Sequence, residues 1–440
     1  MIILGIDIGN GSAVCCPLDH DPIEPRQFNI DGANFLTFNA NVEGINGIIA
    51  IGADVAILEP TGTNYSKLWC NHLANAGVEV RLVDHSRLSA HRRSLDLPDK
   101  EDESDAFALA HYGLVNLSNP RKFLTIRDEK TALLRRDILR LQHLNRVQSP
   151  IICRLRQDLA WQFPEISRRK IARQGNVPPL ILRWLAGESV SKRLDKEYRN
   201  SMGLGLTEEV RNHAARLCEI HREEIVIEGR MIEAIARPEY AELRTVLTAF
   251  GIGNRTAAAI ISQVHPFDGY LDVNGAPIVQ ITKGKKSKKP TKKHLSRRRF
   301  EKSLGCAPTR EASGKKDRKQ VIGGSDLCRK LLWLWIFSGC SVAKIRSNNP
   351  VMELIYRWMS HPSRKGKPTR LLRMNACSHA ARLLFKTLIS LRTGNNPQLL
   401  HYEPDEFNHC SFCGDDLSLD RCIRCDGLKV RLDAWFKATK

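Results

Sequence analysis

No apolar stretch in this chain is long enough to cross a bilayer. The longest, Leu331–Phe337 within Lys330–Gly339, falls far short of the ~20 residues that a spanning helix needs. A basic amino-terminal region is also missing: Met1–Asn10 has none and carries Asp7 inside its apolar run, so no secretory leader is expected. Cysteine occurs in an odd number, 13, which excludes full pairing into disulfides. Four of these fall in one cluster, and others, such as Cys15, Cys153 and Cys340, lie in apolar contexts. A reducing cytoplasmic setting away from membranes is expected. Acidic residues are the minority charge, 48 against 68 Lys and Arg, for a formal charge of +20. That excess suits a polyanion such as nucleic acid, with an anionic membrane surface as the rival partner. Hydrophobic residues make up 42% of 440, enough for two or three domains with their own cores.

Met1–Asp7 reads as a buried strand, followed by Gly9, Asn10 and Gly11, which permit a tight turn. A second apolar run, Gly47–Leu58, stops at Glu59-Pro60-Thr61-Gly62. Tyr65–Ala76 has helical spacing, Val78–Asp84 alternates as a short strand, and Asp102–Leu114 is helical again. Strands alternating with helices predict an α/β domain over residues 1–118. Between Asp128 and Glu165 leucines and isoleucines recur at three- and four-residue spacing, predicting a long amphipathic helix interrupted near Pro150. A second helical stretch, Thr207–Ala236, is able to fold back on it. The segment 119–240 is therefore an ordinary helical hairpin or a coiled-coil contact between protomers, and the apolar stripe favours the contact. Leu247–Val264 has the form helix, Gly-Ile-Gly turn, helix, whose backbone N–H groups suit a phosphate. Lys283–Arg299 holds ten Lys or Arg in 17 residues and reads as a flexible basic loop.

Asp7 lies on the first strand and Glu59 at the carboxyl end of a later one, the edge where open α/β sheets build sites. Asp102 and Asp105, three apart, share a helix face. Four carboxylates converging on one point repel one another unless cations neutralise them. Hard oxygen ligands of this kind suit magnesium or manganese (Mg²⁺, Mn²⁺), and a pair of such ions is able to activate an attacking oxygen and stabilise a leaving one. Singly, each acid reads as surface; only the placement of the set points to chemistry.

These residues sit in LGIDIG, LEPTG and DKEDESDAFALA. Together the three motifs resemble the DEDD insertion-sequence transposases with a RuvC-like, ribonuclease-H-like domain, a family of recombinases that work with a bridge RNA. Lys100, Asp102, Asp105 and Ala106 match the family's K-x-D-x-x-D-A pattern. FGIGNRTAAAIISQV, FEKSLGCAPTREASGKK, NNPVMELIYRW and SHAARLLFKTLISL resemble its downstream blocks, so the resemblance covers most of residues 1–394. It implies a DNA transposase or recombinase that is a homo-oligomer, with DNA and a guide RNA as partners. It further implies that Ser313, in Arg310-Glu311-Ala312-Ser313-Gly314, attacks a DNA phosphodiester and holds the cut end as a phosphoserine, a role in which a hydroxyl needs a base or metal to activate it. Without the resemblance, a serine in a basic glycine-containing loop reads as a turn former. Lys315 stands where the family has a second glycine, Gly323-Gly324-Ser325-Asp326 replaces its basic Gly-Asn, and Asn274–Arg299 reads as an insertion. The expected organisation is a RuvC-like domain at 1–118, the helical segment at 119–240, and a mostly α-helical second transposase domain at 241–394 with its basic insertion at 274–299. A small zinc module follows at 395–440.

That module rests on Cys410-x-x-Cys413 followed, after eight residues, by Cys422-x-x-Cys425. Two such knuckles bring four thiolates together tetrahedrally, the closed arrangement of structural Zn²⁺ sites; redox dithiols are the alternative. Arg421, Arg424 and Lys429 are available to grip nucleic acid. Two rival functions remain: an actin-like ATPase, whose phosphate loop reads like GIDIGNGS, and a zinc-ribbon nucleic-acid-binding protein without catalysis. Protein prepared without chelators is expected to carry about one zinc per chain, and chelation or Cys413→Ser to release it and unfold the tail. Elemental analysis finding no zinc overturns the assignment.

Overall fold

The computed structural model describes residues 1–393 apart from 61–64, 98–99, 125, 174, 284–289 and 314–315. The four tail cysteines lie outside the described residues. The chain is mixed α/β and divides into two units, Met1–Arg127 and Asp128–Lys440.

The first unit is built on a five-stranded mixed sheet: β1 (Ile3–Ile8), β2 (Ser12–Leu18), β3 (Leu36–Asn39), β4 (Val55–Leu58) and β5 (Glu79–Leu82), in the order β3-β2-β1-β4-β5. β1, β2 and β3 pair antiparallel, while β1, β4 and β5 run parallel. Asn10-Gly11 makes the β1–β2 turn, with Gly11 at φ +96 and Gly9 donating its N–H to the Ser12 carbonyl at 3.0 Å. A two-residue turn of this kind needs positive φ, which glycine supplies without steric cost. The run Gly47–Leu58 splits: its first part completes the helix Val42–Ala50, capped by the Asn41 side chain, and only Val55–Leu58 is strand.

Side-chain alternation divides the sheet into two faces. Leu4, Ile6 and Ile8 pack with Ala56, Leu58, Trp69 and Leu73 on one side. Ile3, Val55 and Ile57 pack on the other with Ala106, Phe107 and Ala110 of the helix Asp102–Asn116. That helix lies hard against β1 at Gly5, where an added Cβ would stand 2.0 Å from the Ala106 carbonyl oxygen and 2.4 Å from the Ala110 nitrogen. At Gly113 the same addition would meet Ile57 Cγ1 at 2.5 Å.

In the second unit the helix Glu129–Gln162 runs unbroken through Pro150, contrary to the expected interruption. The missing N–H and ring clash cost about 3 kcal/mol. The helix is held on both sides of the proline, however: Leu134, Ile138, Leu141 and Leu144 belong to one core, and Leu155 and Leu159 to another. Its apolar stripe is covered within the chain by the helix Glu208–Ile235. Arg140 reaches Glu223 at 2.6 Å, and Gln148 reaches the buried Glu224 at 2.9 Å.

The described part of the basic stretch, residue 283 and residues 290–299, departs from the loop expected there. β6 (Val279–Lys283) pairs antiparallel with β7 (Pro290–His294), and the helix Leu295–Ser303 follows at once. The reason is anchoring at the strand ends: Ser296 Oγ accepts the Ile278 N–H at 2.8 Å, and Phe300 is fully buried against Phe267 and Phe385. A second ribbon pairs β8 (Pro308–Ser313) with β9 (Lys316–Val321).

Two glycine substitutions separate close packing from mere helix propensity. Gly5→Ala is expected to destabilise the first unit by about 1–3 kcal/mol or more through overpacking. Gly229→Ala, in a helix with nothing within 4 Å of the added methyl, is expected to stabilise by about 0.5–1 kcal/mol. Denaturant titration of both variants checks the pair.

Candidate active site

Ile3, Gly5 and Asp7 alternate onto the same face of β1, so Asp7 follows the contact at Gly5 toward the first turn of the helix Asp102–Asn116. Ile6 pairs with Leu58, so Asp7 and Glu59 come one residue later on neighbouring parallel strands. Asp102 and Asp105 occupy that helix's first turn. Burial, then the charges of Asp105 and Asp102, and more weakly Glu59, push the Asp7 carboxyl from the ordinary 3.8 up to about 6. All four acids named from sequence thus act electrostatically at one place.

They do not assemble into a ready ligand set. Among the described residues no group of three or more His, Cys, Asp or Glu is arranged to hold a metal ion. Two of the four are engaged by the helix His85–Ser94. His85 Nδ1 stands 2.8 Å from Glu59 Oε1, and Arg92 Nη1 donates to Asp105 Oδ1 at 2.9 Å. The Arg92–Asp105 pair is well shielded, its side chains 13% and 11% exposed. Asp105 is raised by burial in spite of the opposing charges of Arg92, Lys100 and His85. The donor chemistry nevertheless fits a hard cation, because uncompensated repulsion remains on Asp7, which has no basic partner among the described residues.

Neither His85 nor Arg92 stands in any of the three acidic motifs. The available signal was spacing: positions 85 and 92 are two turns apart on one helix face, behind an Asp84 side chain that caps the helix by accepting from the Ser86 N–H. Lys100 matches a motif position in the sequence, and its charge acts on Asp105. Ser313 belongs to the second unit, at the end of β8, in register with Lys316. Gly9 and Gly11 shape a hairpin, and the Gly9 N–H is spent on Ser12, which leaves it unavailable to cradle a phosphate. At the Gly251-Ile252-Gly253 turn, Gly251 has φ +64 and an added Cβ would meet Met352 at 2.7 Å; packing accounts for that glycine. No family model matches the chain, and no curated protein matches it.

Because folded Asp7 holds its proton up to about 6 while the unfolded chain loses it near 3.8, the folded state binds the extra proton between those values. This contribution to stability is full below the unfolded value and is lost as pH rises through the folded one. Asp7→Asn is therefore expected to raise Tm by a few degrees at about pH 8 and to change it little at about pH 4. In EDTA-free buffer, magnesium is expected to stabilise the wild type at the higher pH and not the variant. Thermal melts with and without the ion check both.

Proposed function

We propose that this chain is a metal-dependent DNA transposase or recombinase whose cutting centre is the acidic cluster of the first unit. The observation that carries the reading is the raised Asp7 carboxyl, whose electrostatic neighbours are the other three acids of the motif set. A five-stranded mixed sheet bearing the first of them on its central strand is compatible with a ribonuclease-H-like start.

Asp7, Glu59, Asp102 and Asp105 are the residues that would hold Mg²⁺ or Mn²⁺. When bound, the ion supplies Lewis-acid stabilisation to phosphodiester oxygens. Arg92 neutralises Asp105 and His85 hydrogen-bonds Glu59, so the fold tolerates four acids before any ion arrives. Arg92 keeps Asp105 oriented along the helix face that Asp102 shares.

Ser313 is the proposed nucleophile. Its hydroxyl oxygen would bond to the phosphorus of a DNA strand, the departing deoxyribose oxygen would take up a proton, and the cut end would stay on the protein as a phosphoserine. A guide RNA, a homo-oligomer and a structural zinc in the tail belong to the same proposal. The +20 charge favours the nucleic acids. Val226 and Ile232, 58% and 47% exposed on the helix Glu208–Ile235, offer apolar surface for a second copy.

With purified full-length protein, Asp102→Ala is expected to lower magnesium-dependent strand cleavage by at least about a hundredfold, with the fold intact by circular dichroism. Wild type is expected to leave a denaturation-resistant protein–DNA adduct that Ser313→Ala does not form. Unchanged cleavage in Asp102→Ala overturns the metal centre. Full activity with free DNA ends in Ser313→Ala replaces the serine by water as nucleophile. ATP hydrolysis without DNA cleavage returns the ATPase.

A further inference from the structure

The helix His85–Ser94 has two working faces. His85 and Arg92, seven residues apart, point to the acids. At about 100° per residue, Arg87, Ala90, His91 and Ser94 fall on the opposite stripe, and they line one wall of an open cleft of about 550 Å³. The other wall comes from Tyr112, near the end of the helix Asp102–Asn116, and from Asn119, Arg121 and Lys122 in the turn that follows.

That turn is clamped in place. Arg87 donates through Nη1 to the carbonyls of Arg121, at 3.2 Å, and of Lys122, and the Tyr112 hydroxyl donates to the Lys122 carbonyl at 2.9 Å. Asn119 accepts the Arg121 N–H at 3.2 Å. These bonds all use the backbone of the turn, so the exposed side chains of Arg121 and Lys122 take no part in holding it. The lining residues carry three permanent cations and no carboxylate. His91 is not a fourth: burial, then His111 and Lys122, push it down to about 4, and its Nε2 lies 3.0 Å from His111 Nδ1. An electropositive cleft with a rigid floor and free cationic side chains at its rim matches the chemistry of a phosphate group.

We infer that this cleft, on the far side of the helix from the acidic cluster, is a phosphate-binding site in which Arg121 and Lys122 grip the anion over a floor set by Arg87. The phosphate has two sources, a nucleic-acid strand or a free nucleotide. A volume larger than one phosphate leaves room for the sugar and base attached to it. The inference goes beyond the proposed cutting reaction and does not need the acids.

The test uses the full chain in EDTA, where metal-dependent cleavage is silent. Binding is read by anisotropy of a fluorescein-labelled single-stranded DNA of about 20 nucleotides, and separately by calorimetry with ADP. Arg121→Ala/Lys122→Ala is expected to weaken binding of at least one probe on the order of tenfold. If the strand is the source, the salt dependence should also fall by about 1.4, at about 0.7 for each phosphate no longer neutralised. Lys192→Ala/Lys196→Ala removes the same charge from exposed positions elsewhere and is expected to bind as wild type. Loss confined to the oligonucleotide assigns a strand; loss of ADP as well assigns a nucleotide-sized ligand. Wild-type binding by the pocket variant, equal loss in the control pair, or a wild type that binds neither probe overturns the site. Equal melting temperatures of the two double variants exclude unfolding as the cause, and Lys122→Gln, which keeps the side chain's length, provides a second reading.

Discussion

Helix Asp102–Asn116 can reach β1 only because residue 5 has no side chain. With the Ala106 carbonyl 2.0 Å from where a Cβ would be, the helix axis rests on strand backbone instead of on another layer of side chains. Apolar burial below Gly5, at Ile3, Ile57 and Phe107, supplies the driving force for that approach. What the approach delivers lies above it, where strand and helix end together and carry their acids to one place. A methyl group at Gly5 would lift the helix, and the first things to separate would be Asp7 and the Asp102–Asp105 turn. Stability and site geometry therefore depend on the same contact.

The cost of that geometry is electrostatic. Two unit charges about 4 Å apart interact by about 4 kcal/mol at an effective dielectric near 20, so several carboxylates cannot be gathered for free. The fold answers in two ways. Arg92 offsets Asp105 and His85 hydrogen-bonds Glu59 from one helix face, and at Asp7 burial together with the remaining repulsion raises the pKa. A shielded ion pair such as Arg92–Asp105 adds little net stability, but removing one partner would strand the other. Here its consequence is orientation: Asp105 is fixed, while Asp7 and Asp102 have no basic partner among the described residues.

Much of this could be read from the chain, and the parts that could not share a cause. The strand at Ile3–Ile8, the acids at strand and helix ends and the two long helices follow from local periodicity, whereas their packing on each other within the chain does not, since the apolar stripe alone favours a contact between protomers. β2 and β3 were missed because their partner relations are antiparallel pairings that no helix-strand alternation announces. Pro150 was read by its local rule, which two separate cores override across the helix. The basic ribbon was read by composition, although Ser296 and Phe300 tie it down from outside the charged run. Spacing puts His85 and Arg92 on one helix face, but what that face meets depends on carboxylates up to 26 residues away. Non-local contacts are what single-sequence periodicity cannot weigh.

The charge balance of the whole chain makes sense against this background. A polyanion approaching four acids is repelled by the groups proposed to cut it, and a net charge of +20 acts over a Debye length of only about 10 Å at 0.1 M salt. Distant lysines therefore cannot cancel the repulsion at the acids; cations within a few ångströms must. The helix His85–Ser94 supplies one such group, Arg92, toward the cluster, while Arg87 on its opposite stripe, with Arg121 and Lys122, keeps positive charge on the surface a helix diameter away. The acids and the positive cleft therefore lie on opposite sides of that helix, and a phosphate chain held at the cleft stays a helix diameter from the charges that repel it.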